Sequence, residues 1–396
     1  MSGPPLYTRP YWIACLIHLT GALSLSQFVL LPLFVRALGG TALTVGLVLG
    51  VGAAASVATR PLIGGLLDRA GRRRMLLAGG LLNTLSYLPF LAVDRIGPWL
   101  YIWATAHAIV WGMLFATFFT YAADLTPRER RAEGIAVFGV AGMIANGLGP
   151  PIGEWIIDGP GYPTFFLLAS AFGAVSLGLT LLVGPSEPSP RARAGGNGLF
   201  ADLRPALRDP GLTRVLVITV LLGVAINAAF FFVAPFVRSH EALKVGPFFL
   251  VYAGTSIGVR LLGRRLLDRL GPYRAGVPAF IVFAVGLVAL RGVPAPGVLI
   301  ACAVACGIGH GTLFPVLGAL ATMRAPVGMQ GTVMGLYTGS LDLGGVVGIP
   351  VCGALAHVAG YPAMFTMVGG ACMGGVMMLL IDRRHRGVAA IGGGGG

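Results

Sequence analysis

Apolar residues run along this chain in long blocks, separated by short polar connections. Blocks of about 20 residues are what a helix needs to cross the hydrocarbon core of a bilayer. Twelve such segments can be drawn. Six fall at 12–34, 44–66, 75–93, 98–122, 133–157 and 162–183, and six more at 214–236, 246–267, 275–290, 298–322, 329–356 and 361–381. Within them the apolar residues are nearly continuous, as a helix surrounded by lipid or by other helices requires. The stretch "GPSEPSPRARAGGNGLFADLRPALRDPG", 184–211, is rich in Pro and Gly and carries Arg191, Arg193, Arg204 and Arg208. It reads as a linker with a short interfacial helix at 198–208. The expected fold is an all-α polytopic membrane protein of twelve helices in two six-helix bundles. Its expected parts are an N-terminal bundle over 1–183, a linker over 184–213, a C-terminal bundle over 214–382 and a disordered tail over 383–396.

One polar connection recurs. "RPLIGGLLDRAGRRR" at 60–74 returns as "RLLGRRLLDRLGPYR" at 260–274. The likeness extends further, with "LFVR" at 33–36 against "PFVR" at 235–238, and "GYPTFF" at 161–166 against "GYPAMF" at 360–365. Pro150 and Gly153 are matched by Pro350 and Gly353. A parallel repeat with an even number of spans per copy keeps both copies in one orientation.

Charge sharpens the picture. Only 11% of residues are charged and 56% are hydrophobic, with a mean hydropathy of +0.84. A soluble domain averages about 25% charged. The short alternating segments of a membrane β-barrel do not occur. The net charge of +14 does not form a basic face for nucleic acid, because the cations gather in the connections. With the N-terminus inside the cell, only Arg36, Arg95, Arg238, Lys244 and Arg291 fall on the outer side, out of 28 lysines and arginines. That bias places both termini in the cytoplasm. The five cysteines lie in apolar stretches and read as packing residues.

Ionisable and amide groups inside spans carry a cost and mark function by default. Asp342, in "TGSLDLGG", is the clearest candidate for carrying a proton or meeting a cationic group, with a helix-packing role as the alternative. His310 and His107 follow, since histidine titrates near neutral pH; structural roles for both stay open. Gln27, Asn146 and Asn227 are placed for hydrogen bonds to a substrate, and Trp111, Tyr252 and Tyr337 for an amphipathic lining. Glu154, near the outer end of the fifth span, reads equally as a gate or as an exposed acid. Arg60 and Arg260 read as cations snorkelling to the inner surface. No arginine sits away from helix ends, which argues against phosphate-like or dicarboxylate substrates. No HExxH, GxSxG, CxxC or nucleotide loop occurs, so neither an enzyme nor a cofactor or metal is expected.

"GGLLDRAGRR", 64–73, resembles the hallmark loop between the second and third spans of the major facilitator superfamily. "GLGPPIG", 147–153, is similar to that family's exporter motif, with Ala145 and Glu154 departing from it. "ADLTPRERRAEGIAVFG", 123–139, resembles bacterial drug- and metabolite-efflux members. The resemblance covers essentially the whole chain. It implies two bundles around a central cavity and alternating access, in a monomer of the bacterial cytoplasmic (inner) membrane. It also implies a conformational gate built from Gly64, Asp68, Arg69, Gly71, Arg72 and Arg73, their counterparts Asp268 and Arg269, and Gly149, Pro150 and Gly153. The function it implies is export of a small organic compound in exchange for protons. The alternative is proton-coupled symport, or uniport, of a sugar or other metabolite. The partners are then a small-molecule substrate, protons and the lipid bilayer, with no nucleic acid. A phosphatase that is active only outside the cytoplasm should be inactive when fused after residue 196 and active when fused after Arg95; the reverse pattern overturns the orientation.

Overall fold

The computed structural model describes residues 6–127, 130–184, 208–240, 243–326 and 329–392. The expected interfacial helix at 198–208 falls almost wholly outside them. The helices, in chain order, are α1 (Arg9–Ser26), α2 (Leu31–Ala37), α3 (Ala42–Ala70), α4 (Arg72–Ser86), α5 (Pro98–Leu125), α6 (Arg131–Asp158) and α7 (Tyr162–Thr180). After the linker come α8 (Pro210–Arg238), α9 (Gly246–Leu262), α10 (Arg264–Ala289), α11 (Pro296–Thr322) and α12 (Gln330–Gly392). Among the described residues, 10 helices are long and apolar enough to cross a membrane, and α9 is a shorter apolar helix.

Local chemistry sets the boundaries. Proline opens α5, α8 and α11, where its missing N–H removes nothing from the helix. The Asp209 carboxylate accepts from Gly211 N at 2.9 Å and Leu212 N at 3.0 Å, capping α8. A 3-10 turn, Gln27–Leu30, interrupts the first crossing between α1 and α2. Four breaks in the helical path fall on glycines. Gly71 (φ 82°), Gly161 (φ 93°), Gly271 (φ 73°) and Gly360 (φ 81°) all sit in the left-handed region, which side chains disfavour. These are two pairs of equivalent positions in the repeat.

The second span, expected over 44–66, runs a few residues further: α3 continues through Pro61 to Ala70, so the connection narrows to Gly71. At the other end α12 is helical to Gly392. Within α12, Gly360 (φ 81°, ψ 163°) breaks the helical path.

The chain divides into two compact units. The first comprises Met1–Thr41, Val51–Gly196 and Lys244–Leu250. The second comprises Ala42–Gly50, Asn197–Leu243 and Val251–Gly396. Each therefore takes a short segment from the other half of the sequence.

In the first unit, polar side chains bond to the backbone of neighbouring helices. Ser24 Oγ donates to Ala169 O at 2.7 Å, Tyr87 Oη to Ser24 O at 2.6 Å and Ser176 Oγ to Ile17 O at 2.9 Å. Asn83 Nδ2 donates to Ser24 Oγ at 2.9 Å. These bonds join α1 to α4 and α7. A cluster around Tyr11, Phe118, Tyr121 and Phe138 fills the space between α1, α5 and α6.

In the second unit the helices meet through missing side chains. A Cβ on Gly353 would lie 2.7 Å from Gly46 Cα and 2.8 Å from Ala42 O, closer than real Cβ atoms come. Backbones in lipid gain association energy from such approach. Outward faces are apolar: Leu62 is 74% exposed, Leu262 87% and Trp155 72%. Gly353→Val should destabilise the protein by about 1–3 kcal/mol through overpacking, read as a lower melting temperature in detergent. Gly64→Ala, at a position with open space around it, should leave melting unchanged or slightly higher.

Candidate functional site

The second unit draws three of the expected lining residues into one cluster. Tyr252 on α9 lies 2.7 Å from His310 Nδ1 on α11, hydroxyl to ring nitrogen. Tyr337 on α12 donates to Phe314 O at 2.6 Å. Phe314 lies one turn beyond His310 on α11. Tyr252 and Tyr337 are 1% and 0% exposed. Into this aromatic group reaches a residue the sequence assigned to the membrane surface. The Arg260 guanidinium lies over the Phe314 ring, 5.2 Å from its centroid, and its Nε is shielded from solvent with no hydrogen-bond partner. Arg260 therefore does not snorkel. An arginine side chain on a helix leans toward the N-terminus, and here that direction leads inward along α9. The argument against anionic substrates, which rested on the lack of an arginine inside the spans, falls with it.

Asp342 lies on α12, partly buried, with Oδ2 shielded from solvent. One turn on, Gly345 faces the amide of Asn227, whose Nδ2 donates to Gly223 O on its own helix at 2.8 Å.

The first unit holds the remaining candidates, and they do not form one cluster. His107 is 0% exposed, with Nδ1 2.9 Å from Ser86 Oγ, Nε2 3.4 Å from Tyr87 Oη and its ring stacked on Phe28 at 4.1 Å. It is a member of the packing network. Gln27 is also fully buried, with Nε2 donating to Leu23 O at 3.2 Å and Gly149 O at 3.1 Å. A Cβ on Gly149 would run into Ser26, and one on Gly153 into Gln27 and Leu30. The glycines of "GLGPPIG", with Pro150 between them, thus make room for the 3-10 turn of the first crossing. Asn146 is half-buried, and Trp111 packs against the apolar cluster.

At the end of α3 and the start of α4, Arg72 Nε binds Asp124 Oδ2 at 2.6 Å, and Arg73 Nε donates to Val183 O at 2.8 Å. Arg69 and Arg269 are exposed, and nothing crowds Gly64. The side chains of Asp68 and Asp268 lie outside those described. Near the N-terminus, Tyr7 donates to Glu133 at 3.0 Å, a bond that raises the phenol's pKa above its ordinary value.

Asp124, Asp158 and Asp382 were not singled out from the sequence, and Glu154 was read equally as a gate and as an exposed acid. Glu154 is buried at 4% exposure, which removes the reading as an exposed acid. Within the first unit its carboxylate accepts from Val245 N at 2.8 Å and Gly246 N at 2.7 Å, capping α9 where the helix dipole favours an anion. Asp158 pairs with Lys244 beside it. In the second unit Asp382, 0% exposed, accepts from Arg214 Nε at 3.1 Å, from Tyr273 Oη at 2.7 Å and from Arg324. The repeat held a clue, since Arg324 stands 200 positions after Asp124.

Long apolar helices, a polar group inside each unit and charged clusters at helix ends define a multi-pass membrane carrier. The family model of the Major Facilitator Superfamily matches residues 13–294 and 265–395, and the chain belongs to that family. It is 28% identical over 372 residues to an uncharacterized MFS-type transporter of Burkholderia pseudomallei strain 1106a, covering 90% of this chain and 88% of that one. Among solved structures it is similar to the nucleoside transporter NupG, with a TM-score of 0.79, 12% identity and coverage of 94% and 99%. It is also similar to the human organic anion transporter MFSD10, with a TM-score of 0.66, 19% identity and coverage of 94% and 100%. These likenesses carry the fold. Members of the family are carriers, not enzymes, and move small molecules across a membrane by secondary transport.

Asp382 and Asp124 differ in a way stability measurements resolve. Asp382→Asn leaves Arg324 and Arg214 beside an uncharged amide in a buried place and should cost about 3–5 kcal/mol. Asp124→Asn removes a pair whose acid is 50% exposed and should cost at most about 1 kcal/mol. Chemical or thermal unfolding of the two purified variants checks the order.

Proposed function

We propose that this chain is an exporter of a small organic compound, driven by proton antiport through alternating access in the bacterial cytoplasmic membrane. Twelve crossings follow if α9 counts as one and the break at Gly360 divides α12 into two. The observation that carries the reading is Asp342, a carboxyl group inside a membrane-crossing helix with one oxygen shielded from solvent. Such a group holds or releases a proton according to its surroundings. Binding of substrate and proton must then favour different states, since equal affinity for both shifts nothing. Asp68, Arg72, Arg73 and Gly71, with Asp268 and Arg269 in the second copy, are the proposed gate at the inner helix ends. Arg72 has its ion pair there with Asp124. Glu154 joins the proposed gate at the start of α9. The 3-10 turn and the glycines Gly149 and Gly153 favour bending of α1 and α6 during the cycle. Proton-coupled symport into the cell uses the same parts in the other direction.

Comparison of retained and secreted metabolites in cells with and without the protein identifies the compound, and an uncoupler should abolish its export. In inverted vesicles under an imposed pH gradient, Asp342→Asn should reduce gradient-driven uptake to the level of vesicles lacking the protein, while exchange without a gradient persists. Undiminished gradient-driven uptake removes Asp342 from coupling. Accumulation inside intact cells that the uncoupler abolishes replaces export with symport.

A further inference from the structure

A guanidinium inside a membrane protein is expensive unless something negative or strongly polar accompanies it. Among the described residues no carboxylate is paired with Arg260, and its shielded Nε has no hydrogen-bond partner. Its direction makes the contrast sharper. Tyr252 lies eight residues earlier on the same helix, about 12 Å along the axis, yet its hydroxyl and the guanidinium are close enough to interact electrostatically, as are Tyr337 and His310. The side chain is therefore extended up the helix, away from the inner end where Asp268 sits. What it meets there is aromatic: the Phe314 face at 5.2 Å, with Tyr252, Tyr337 and His310 around it. A cation–π contact holds a cation in place but leaves its N–H donors unused.

The two phenols are already committed. Tyr337 donates its proton to Phe314 O. Tyr252 is engaged with Nδ1 of His310; when Tyr252 is the donor, neutral imidazole carries its hydrogen on Nε2 and becomes a second donor. Ser256, between Tyr252 and Arg260 on the same face, backs onto Gly311 of α11, and its buried hydroxyl has no hydrogen-bond partner. The group thus offers a forked cationic donor, an imidazole and aromatic walls, with no acid.

We propose that Arg260, Phe314, Tyr252, His310 and Tyr337 form a binding subsite for a monocarboxylate, and that the transported compound is an organic acid with an apolar or aromatic body. The inference rests on the reading of the chain as a small-molecule carrier and names the substrate class. One guanidinium matches one carboxylate, with two parallel N–H···O bonds. A dianion such as phosphate would bring a second negative charge with no cation in the group to meet it. The rings of Phe314, Tyr252 and Tyr337 favour contact with an apolar body over a hydrated one.

The test uses the full chain, purified and reconstituted in liposomes. Thermal stabilisation is measured with a series of carboxylates (acetate through octanoate, benzoate, phenylacetate), with the matching neutral amides, and with inorganic phosphate. The expected result is stabilisation by the longer or aromatic carboxylates, with apparent affinity rising with apolar size, and little from amides or phosphate. Arg260→Gln should weaken carboxylate binding by about 10- to 100-fold, the range for a hydrogen bond to a charged group. Arg260→Lys, which keeps the charge and loses the fork, should fall between. Equal stabilisation by amides and carboxylates, or by none of the series, overturns the subsite without any variant having to fold. So does unchanged carboxylate affinity in Arg260→Gln. Flux of the bound carboxylate is followed in the same liposomes. Binding without flux keeps the subsite and removes the carrier reading, whereas flux of a neutral compound without carboxylate binding does the opposite.

Discussion

Helices already in lipid gain nothing from the hydrophobic effect when they meet, so packing and polar contacts must hold this protein together. Its sequence answers with absence: the backbones of Gly46 and Gly353 pass where no side chain fits. Where side chains do cross, hydroxyls donate to carbonyl oxygens, as those of Ser24, Ser176 and Tyr87 do. Gln27 joins the two devices. Its amide reaches the Gly149 carbonyl only because Gly149 and Gly153 leave room for it, and it does so at the turn where the first crossing departs from α-helical geometry.

Charge is handled in three different ways. Arg72 and Asp124 pair at a helix end where the acid is half exposed, so water carries much of the load and the bond can be exchanged cheaply. Asp382 is fully enclosed, and two arginines and a phenol saturate it. Such an arrangement resists change, because removing any partner strands the others. Arg260 fits neither pattern: it lies over an aromatic face, and among the described residues no acid is paired with it. The first suits a contact that must open, the second an anchor within one unit, and the third a place where the missing counter-charge arrives from outside.

Much of this was written in the sequence in a form that periodicity exposes. Apolar block lengths gave several of the helices to within a few residues, as with 98–122 against Pro98–Leu125. Four of the five positive-φ glycines fell where the repeat placed "GYP" and the two "LLDR" segments. What stayed hidden was direction. Arg260 is two residues from the end of α9, and position alone sends such a side chain to the surface; its path toward Tyr252 depends on the rotamer and on Phe314, a residue 54 positions away. His107 was hidden for the opposite reason. A histidine inside a span reads as functional until Ser86, Tyr87 and Phe28 are seen to enclose it. Glu154 needed the start of α9 to be brought to it, which sequence distance conceals.

The second copy of the charged motif looks eroded in sequence, with Pro272 and Tyr273 where the first has Arg72 and Arg73. The structure gives those losses a compensation. In the first unit, position 72 supplies the cation and position 124 the anion. In the second, Pro272 has no charge to offer, and position 324, the counterpart of 124, carries an arginine instead. Its partner is Asp382, which occupies nearly the place that Val183 has in the first copy. There Arg73 donates to the Val183 carbonyl, and here Tyr273 donates to the Asp382 carboxylate. The bond from position 73 is therefore kept in both copies while the donor, the acceptor and the sign of the neighbouring helix end all change. A random loss of the motif would have left Arg324 facing nothing. The paired replacement of an acid by a base at 324 and of an apolar residue by an acid at 382 indicates that the connection between these helix ends is what the fold requires, and that the signature residues are one of two chemistries able to make it.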